Sequence, residues 1–199
     1  MRLLSILEAI NYMPATEILV DEHRLISRMV NVLTVLHKSL ESGDGADLSV
    51  LMDVVNFFQT FVDKNHHAKE DALFLILERR QVNPKECTIE SLENEHKQGT
   101  TLMATLTAEI GRYKADDPAS KSRICGTIRD AIKLYNDHIW RENILLFPIA
   151  DKTLQEPESI EAMKTYRQID EMLGAAFRAK YEQLVSALEK ATHASHVTT

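Results

Sequence analysis

The sequence predicts an all-α chain: an up-down-up-down four-helix bundle with an additional C-terminal helix. Three observations predict it. Apolar residues recur every three or four positions through five long stretches. The breaks between the first four are short and hold helix-stopping residues: Ser42-Gly43-Asp44-Gly45, Asn83-Pro84 and Asp116-Asp117-Pro118. Only six Gly and five Pro occur in 199 residues, too few for a turn-rich β fold.

The elements follow in order. Residues 1–13 carry Leu3, Leu4, Leu7 and Ile10 at helical spacing around Glu8, which reads as a short amphipathic helix and not a secretory signal. The first long helix spans about 16–41, with Leu19, His23, Ile26, Val30 and Leu33 on one stripe. The second spans about 47–81, through Leu51, Val55, Phe58, Val62, His66, Glu70, Leu73 and Leu77. The third spans about 88–114, through Leu92, His96, Gly99, Met103, Leu106 and Ile110. The fourth spans about 119–154, through Ile124, Ile128, Ala131, Tyr135, His138, Glu142 and Leu145. A fifth, over about 158–190, buries Met163, Tyr166, Leu173, Phe177, Leu184 and Leu188. Short loops between long helices force antiparallel neighbours. The chain therefore reads as a single domain, a core bundle over about 16–155 plus the extra helix. The polar tail from Thr192, with His193 and His196, reads as frayed.

Composition excludes several function classes. Hydrophobic residues make up 44% of the chain, enough for one proper core. Net charge is −7 and no basic patch stands out, so nucleic acid is not an expected partner. No apolar run reaches the length of a membrane span. Cys87 and Cys125 make no disulfide framework, which fits a reducing, cytoplasmic compartment.

The chemistry lies in two segments, His66-His67-Ala68-Lys69-Glu70-Asp71 and His138-Ile139-Trp140-Arg141-Glu142. Each sets a His and a Glu one helical turn apart, on the stripe that otherwise carries apolar residues. About one such pair is expected by accident in a chain of this composition, so the spacing alone is weak. Placement strengthens it. In an up-down bundle the start of the first helix, the end of the second, the start of the third and the end of the fourth share one end. At about 1.5 Å per residue, His23, His66, Glu70, His96, His138 and Glu142 fall in one layer and all face the core. Buried imidazoles facing buried carboxylates are costly unless something binds both, and a metal ion is the simplest occupant.

Four neutral imidazoles and two carboxylates suit Fe, Mn or Zn. Two ions bridged by Glu70 and Glu142, each holding two His, account for every group and leave places for solvent or a small ligand. Glu22, Glu95 and Asp137 are near enough in sequence to accept the other ring N–H of a ligating His. His67 and Asp71 repeat the four-residue spacing one position on. The stripe through Val62 and Leu73 favours His66 with Glu70 and leaves His67 at the rim, but a helix phase can slip by a residue over this length. Tyr135 and Trp140 flank the site and read as core packing; Gly99 suits a close helix approach beside His96.

Taken together, these segments resemble the hemerythrin-like, HHE cation-binding family. The likeness rests on Asp21-Glu22-His23, His66-His67-Ala68-Lys69-Glu70, Glu95-His96-Lys97-Gln98-Gly99 and His138-Ile139-Trp140-Arg141-Glu142 with the trailing Leu146-Phe147-Pro148, and it spans about 16–151. The resemblance implies a four-helix bundle around a non-haem, usually di-iron centre. His23, His66, His96 and His138 would be terminal ligands and Glu70 and Glu142 bridges. Oxygen-carrying members place a second His one turn after the first on the third helix, where Thr100 stands here. Their last carboxylate is an Asp five residues after its His, whereas Glu142 follows at four. These departures point away from reversible oxygen carriage, toward sensing or redox reactivity. The ligand count is closer to iron–sulphur-cluster repair proteins, which also look like four His and two Glu. The expected partner is a small diatomic ligand or solvent, with a homodimer through the C-terminal helix as a further expectation.

Overall fold

The computed structural model describes residues 14–43, 47–114 and 117–197, with side chains through Thr192. The expectations for residues 1–13 and for His193 and His196 fall outside what is described. Six helices and no strand are present among the described residues. We label them α1 (Ala15–Ser42), α2 (48–79), α3 (Ile89–Gly111), α4 (118–153), α5 (Glu156–Leu173) and α6 (Phe177–Val197).

Local chemistry sets the ends. Gly43 takes the left-handed conformation (φ 93°) that closes α1, its N–H donating to the Leu40 carbonyl. Asp47, Thr88 and Asp117 cap α2, α3 and α4 by accepting from Ser49, Ser91 and Ala119 backbone N–H groups. Pro118 sits in the first turn of α4, where its missing N–H costs nothing.

The core follows the predicted topology. α1 packs on α4, α4 on α3 and α3 on α2, which closes the ring by touching α1. The apolar interior is split in two. One cluster gathers residues such as Met29, Leu33, Phe58, Leu106 and Ile128. The other gathers Leu19, Leu73, Leu92, Leu146 and Phe147. His23, His66, Glu70, His96 and Glu142 lie between them in sequence and His138 at the edge of the first, so the polar layer forms the waist of an otherwise greasy bundle.

Two features depart from regular helices. α2 contains a π segment, Phe58–His66, that ends on the first His of its motif. α4 contains another, Glu142–Leu146, that starts on the Glu of its motif. Such wide turns are rare and gather at functional sites. The helix expected over 158–190 is two rods. Gly174 breaks it with φ 93°, in a region open to glycine and strained for other residues. α5 then packs on the second half of α2 and α6 runs along α1. Arg28–Glu189 (2.7 Å), Arg178–Asp21 (2.6 Å) and Lys69–Asp170 (2.7 Å) tie this hairpin to the bundle. The last helix continues to Val197, past the point where the tail was expected to fray.

Candidate metal centre

All six predicted residues meet in the waist. His23, Glu70 and Glu142 are at most 1% exposed, and His66 and His138 are also buried. His66 Nε2 lies 3.0 Å from Glu70 Oε1. His23 Nε2 lies 3.5 Å from Glu70 Oε1 and 3.2 Å from Glu142 Oε2. On the other side His96 Nε2 lies 3.3 Å from Glu70 Oε2, and His138 Nε2 lies 3.2 Å from Glu142 Oε2. Glu70 thus turns one oxygen toward His23 and His66 and the other toward His96. Glu142 stands between His23 and His138. Glu70 faces histidines through both its oxygens, whereas Glu142 meets His23 and His138 through the same one.

Two overlapping groups could each hold an ion, with ligand atoms within 4.8 Å of one another: His23, His66, Glu70 and Glu142, and His67, Glu70, His96 and His138. The second group contains a residue that the stripe argument left at the rim. His67 is 6% exposed and stacks on His96, ring centroids 3.7 Å apart. The π segment explains why both neighbours face inward. A wide turn shifts the side-chain phase just before the motif, so His66 joins one group of inward donors and His67 the other. Thr100 leaves room on α3, and its hydroxyl donates to Asp63 at 3.2 Å.

The outer partners cross between helices. His66 Nδ1 donates to Glu22 at 3.0 Å, and His138 Nδ1 donates to Glu95 at 2.9 Å. His23 Nδ1 donates to Asn143 Oδ1 at 2.9 Å. Each bond fixes a tautomer with Nε2 facing the waist. Glu22 and Glu95 therefore act on the His of the adjacent helix and not on their chain neighbours. Asp137 takes no part; it pairs with Lys133 on the surface. Behind the carboxylates stand two cations, Lys69 on Glu22 (2.6 Å) and Arg141 on Glu95. Sequence reasoning passed over Lys69, Arg141 and Asn143. The first two share a register that was legible: each lies three residues after the motif His and one before its Glu.

Flanking residues divide. Phe147, from the trailing Leu-Phe-Pro, stacks on His23 with centroids 5.5 Å apart. Tyr135 is buried as expected, but its hydroxyl has no partner. Gly99 makes room for it, since a Cβ there would sit 2.9 Å from that oxygen. Trp140 is 56% exposed, contrary to expectation. With His138 and Glu142 facing inward, the position halfway between them points away from the bundle.

Electrostatics follow from this packing. Burial raises the Glu22 carboxyl, but His66 and Lys69 outweigh it and hold it at about 2. Burial works against the His66 imidazolium, yet Glu70 and Glu22 raise it to about 10. Burial likewise opposes charge on His23, and Glu142 and Glu70 override it upward. His67 goes the other way: burial, then His96, drives it well below the ordinary range.

The residues fit a metal. Eight buried ligand atoms meet no partner outside their own group: Nε2 of His23, His66, His96 and His138, and both oxygens of Glu70 and Glu142. Each such atom left unpaired costs about 1–3 kcal/mol. Protons on the imidazoles offset part of that; divalent cations offset it directly. No candidate membrane span exists among the described residues. Comparison with curated proteins and with solved structures returns no match. Comparison with protein families does: the hemerythrin HHE cation binding domain matches residues 15–150, which runs from the start of α1 into the last turn of α4 and includes every residue of the waist. The chain belongs to the hemerythrin HHE cation-binding family.

Proposed function

We propose that this protein holds two non-haem iron ions bridged by Glu70 and Glu142, and that it binds or senses a small ligand such as O2, NO or iron itself. The first ion would take His23 and His66, the second His96, His138 and His67. The convergence of eight buried ligand atoms, with no partner outside their own group, on two groups that share Glu70 carries this reading. Iron so held would supply redox chemistry and open places for a diatomic ligand. The chain itself supplies a dry first position and a partly open second one.

The protein surroundings of the two positions differ. His67 and His96 line a cavity of about 370 Å³ together with Asp63, Asp71, Glu93, Lys97 and Thr100. A polar, acidic mouth admits water and cations, whereas reversible oxygen carriage is served by a dry pocket. That mouth favours the second reading, a redox enzyme or an iron–sulphur-cluster repair-type protein acting on peroxide or NO.

Metal content and the optical spectrum of protein purified without air test the proposal. Two irons per chain and, after air, an oxo-to-iron charge-transfer band are expected; a metal-free chain of unchanged fold would refute it. Oxygen that binds and leaves unchanged would select the binding reading. Rapid autoxidation with peroxide consumption would select the enzyme.

A further inference from the structure

Behind the first ion position lies a buried ion network that ligation alone does not require. Lys69 is 2% exposed. A lysine is almost never buried unless it is paired, and this one is paired twice. Its ammonium donates to Glu22 Oε1 at 2.6 Å and meets Asp170 Oδ1 at 2.7 Å. The same Glu22 oxygen accepts from Asn65 at 3.0 Å. The other Glu22 oxygen accepts from His66 Nδ1 at 3.0 Å. One carboxylate thus takes three donors, and only one of them belongs to a residue of the metal centre. Asp170 lies on α5, beyond the 15–150 stretch that matches the family. It borders a cavity of about 260 Å³, together with Asn65, Lys69, Gly174 and Arg178. The C-terminal hairpin therefore touches the centre through a continuous chain: Asp170, Lys69, Glu22, His66.

We propose that Lys69 is a positioning residue for the first ion position: clamped between Asp170 of α5 and Glu22 of α1, it fixes the carboxylate that orients the His66 ring. The proposal rests on the two-ion reading above. The geometry favours orientation over simple charge balance. Lys69 and His66 hold opposite oxygens of Glu22, so the carboxylate plane is set from one side and read out on the other. Arg141 stands in the matching place behind Glu95, but it and Glu95 are partly solvated. The second position has no equivalent of Asp170 among the described contacts of Arg141, whose remaining partner is the Ser91 hydroxyl at 3.2 Å.

Zinc alone, added to the metal-free full-length chain, provides the test. Chelator competition resolves the two sites, and the His66→Ala variant identifies which of them is the first. The second readout is the His66 Nδ1–H signal in nitrogen-15 spectra of the zinc-loaded protein. Lys69→Met should weaken the first site about 10–100-fold, the range for outer partners of metal ligands. It should also speed exchange of the His66 ring proton with water and leave the second site unchanged. Lys69→Arg should restore the proton signal and most of the affinity. Asp170→Asn, at an exposed carboxylate, should give a smaller loss at the same site. Arg141→Met should leave the first site alone. Equal weakening of both sites, or an unchanged His66 proton in folded Lys69→Met, would overturn the proposal. Should Lys69→Met fail to fold, Asp170→Asn decides: no effect on the first site or the His66 proton overturns it. Wild-type protein that binds fewer than two zinc ions removes the two-ion reading and this proposal with it. Two bound ions with a His66 proton indifferent to Lys69 remove the proposal alone.

Discussion

The two halves of the waist are built on one plan and finished differently. In each, a Glu-His pair on one helix (Glu22-His23, Glu95-His96) meets a His-x-x-cation-Glu motif on the next (66–70, 138–142). In each, the Glu of the first accepts from the His of the second, and a cation backs that Glu. The first half is then sealed: Glu22 and Lys69 are both 2% exposed beneath the C-terminal hairpin. The second half is left partly open, with the His96 side chain 11% exposed at the floor of the acidic mouth. One plan has two finishes: one half is covered by the hairpin and the other opens on an acidic cavity.

The widest break in that comparison is Glu70, which both halves share. Glu70→Ala should cost both positions, taking metal content from about two ions per chain to below one by elemental analysis, at least a thousandfold in affinity or about 4 kcal/mol. Retention of two ions would show that the halves do not share a bridge. Next comes the pair of adjacent histidines. His66→Ala should weaken the first position and spare the second. His67→Ala should do the reverse, each by about a hundredfold, roughly 3 kcal/mol. Unchanged metal binding in either variant would mean that only the other imidazole reaches metal.

The topology and the waist were legible because they depend on periods and loop lengths. The inward turn of His67 was not, because it depends on a π segment at Phe58–His66 that no apolar spacing announces. Neither was the burial of Asn65 and Lys69. On an isolated four-helix bundle that flank of α2 would face water; here α5 covers it, after Gly174 turns the expected single rod into a hairpin. Trp140 failed for the opposite reason: the angle was readable, but an aromatic beside a site was assumed to pack.

Protons should separate the halves next. Without metal, Glu70 and Glu22 overcome burial and raise His66 to about 10, while burial and His96 keep His67 neutral. An ion entering the first position at pH 7 must displace a proton; at the second it meets His67 already free. With His66 held protonated and His23 also raised, zinc affinity at the first site should rise at least about tenfold per pH unit between about pH 7 and 8.5, and markedly less at the second. The same shift has a stability sign. A folded value raised above the ordinary 6.5 stabilises fully below 6.5, and the contribution disappears as pH rises through about 10. Thermal unfolding of the metal-free chain should fall in Tm between about pH 6.5 and 10. A flat profile there would mean that Glu70 and Glu22 do not hold the His66 proton.

The finest difference between the halves is three residues past each Glu-His pair, where α1 carries Ile26 and α3 carries Gly99. Ile26 fills its side of the interior itself. Gly99 fills nothing, and Tyr135 from α4 takes the space, stacked on Phe58 at 4.3 Å. Gly99→Ala gains up to about 1 kcal/mol of helix propensity. Its new Cβ would stand 2.9 Å from the Tyr135 hydroxyl and 3.3 Å from the ring carbon bearing it. Because that ring is wedged against Phe58, the clash cannot be relieved by a free rotation, and overpacking of this kind costs about 1–3 kcal/mol. A net loss of about 1 kcal/mol in chemical denaturation is expected, with metal content unchanged. Tyr135→Phe removes an oxygen that has no partner and should be close to neutral. Combined with it, Gly99→Ala should recover most of the loss. Failure to recover would mean that the glycine is needed for the approach of the α3 backbone to α4, and not for the tyrosine hydroxyl.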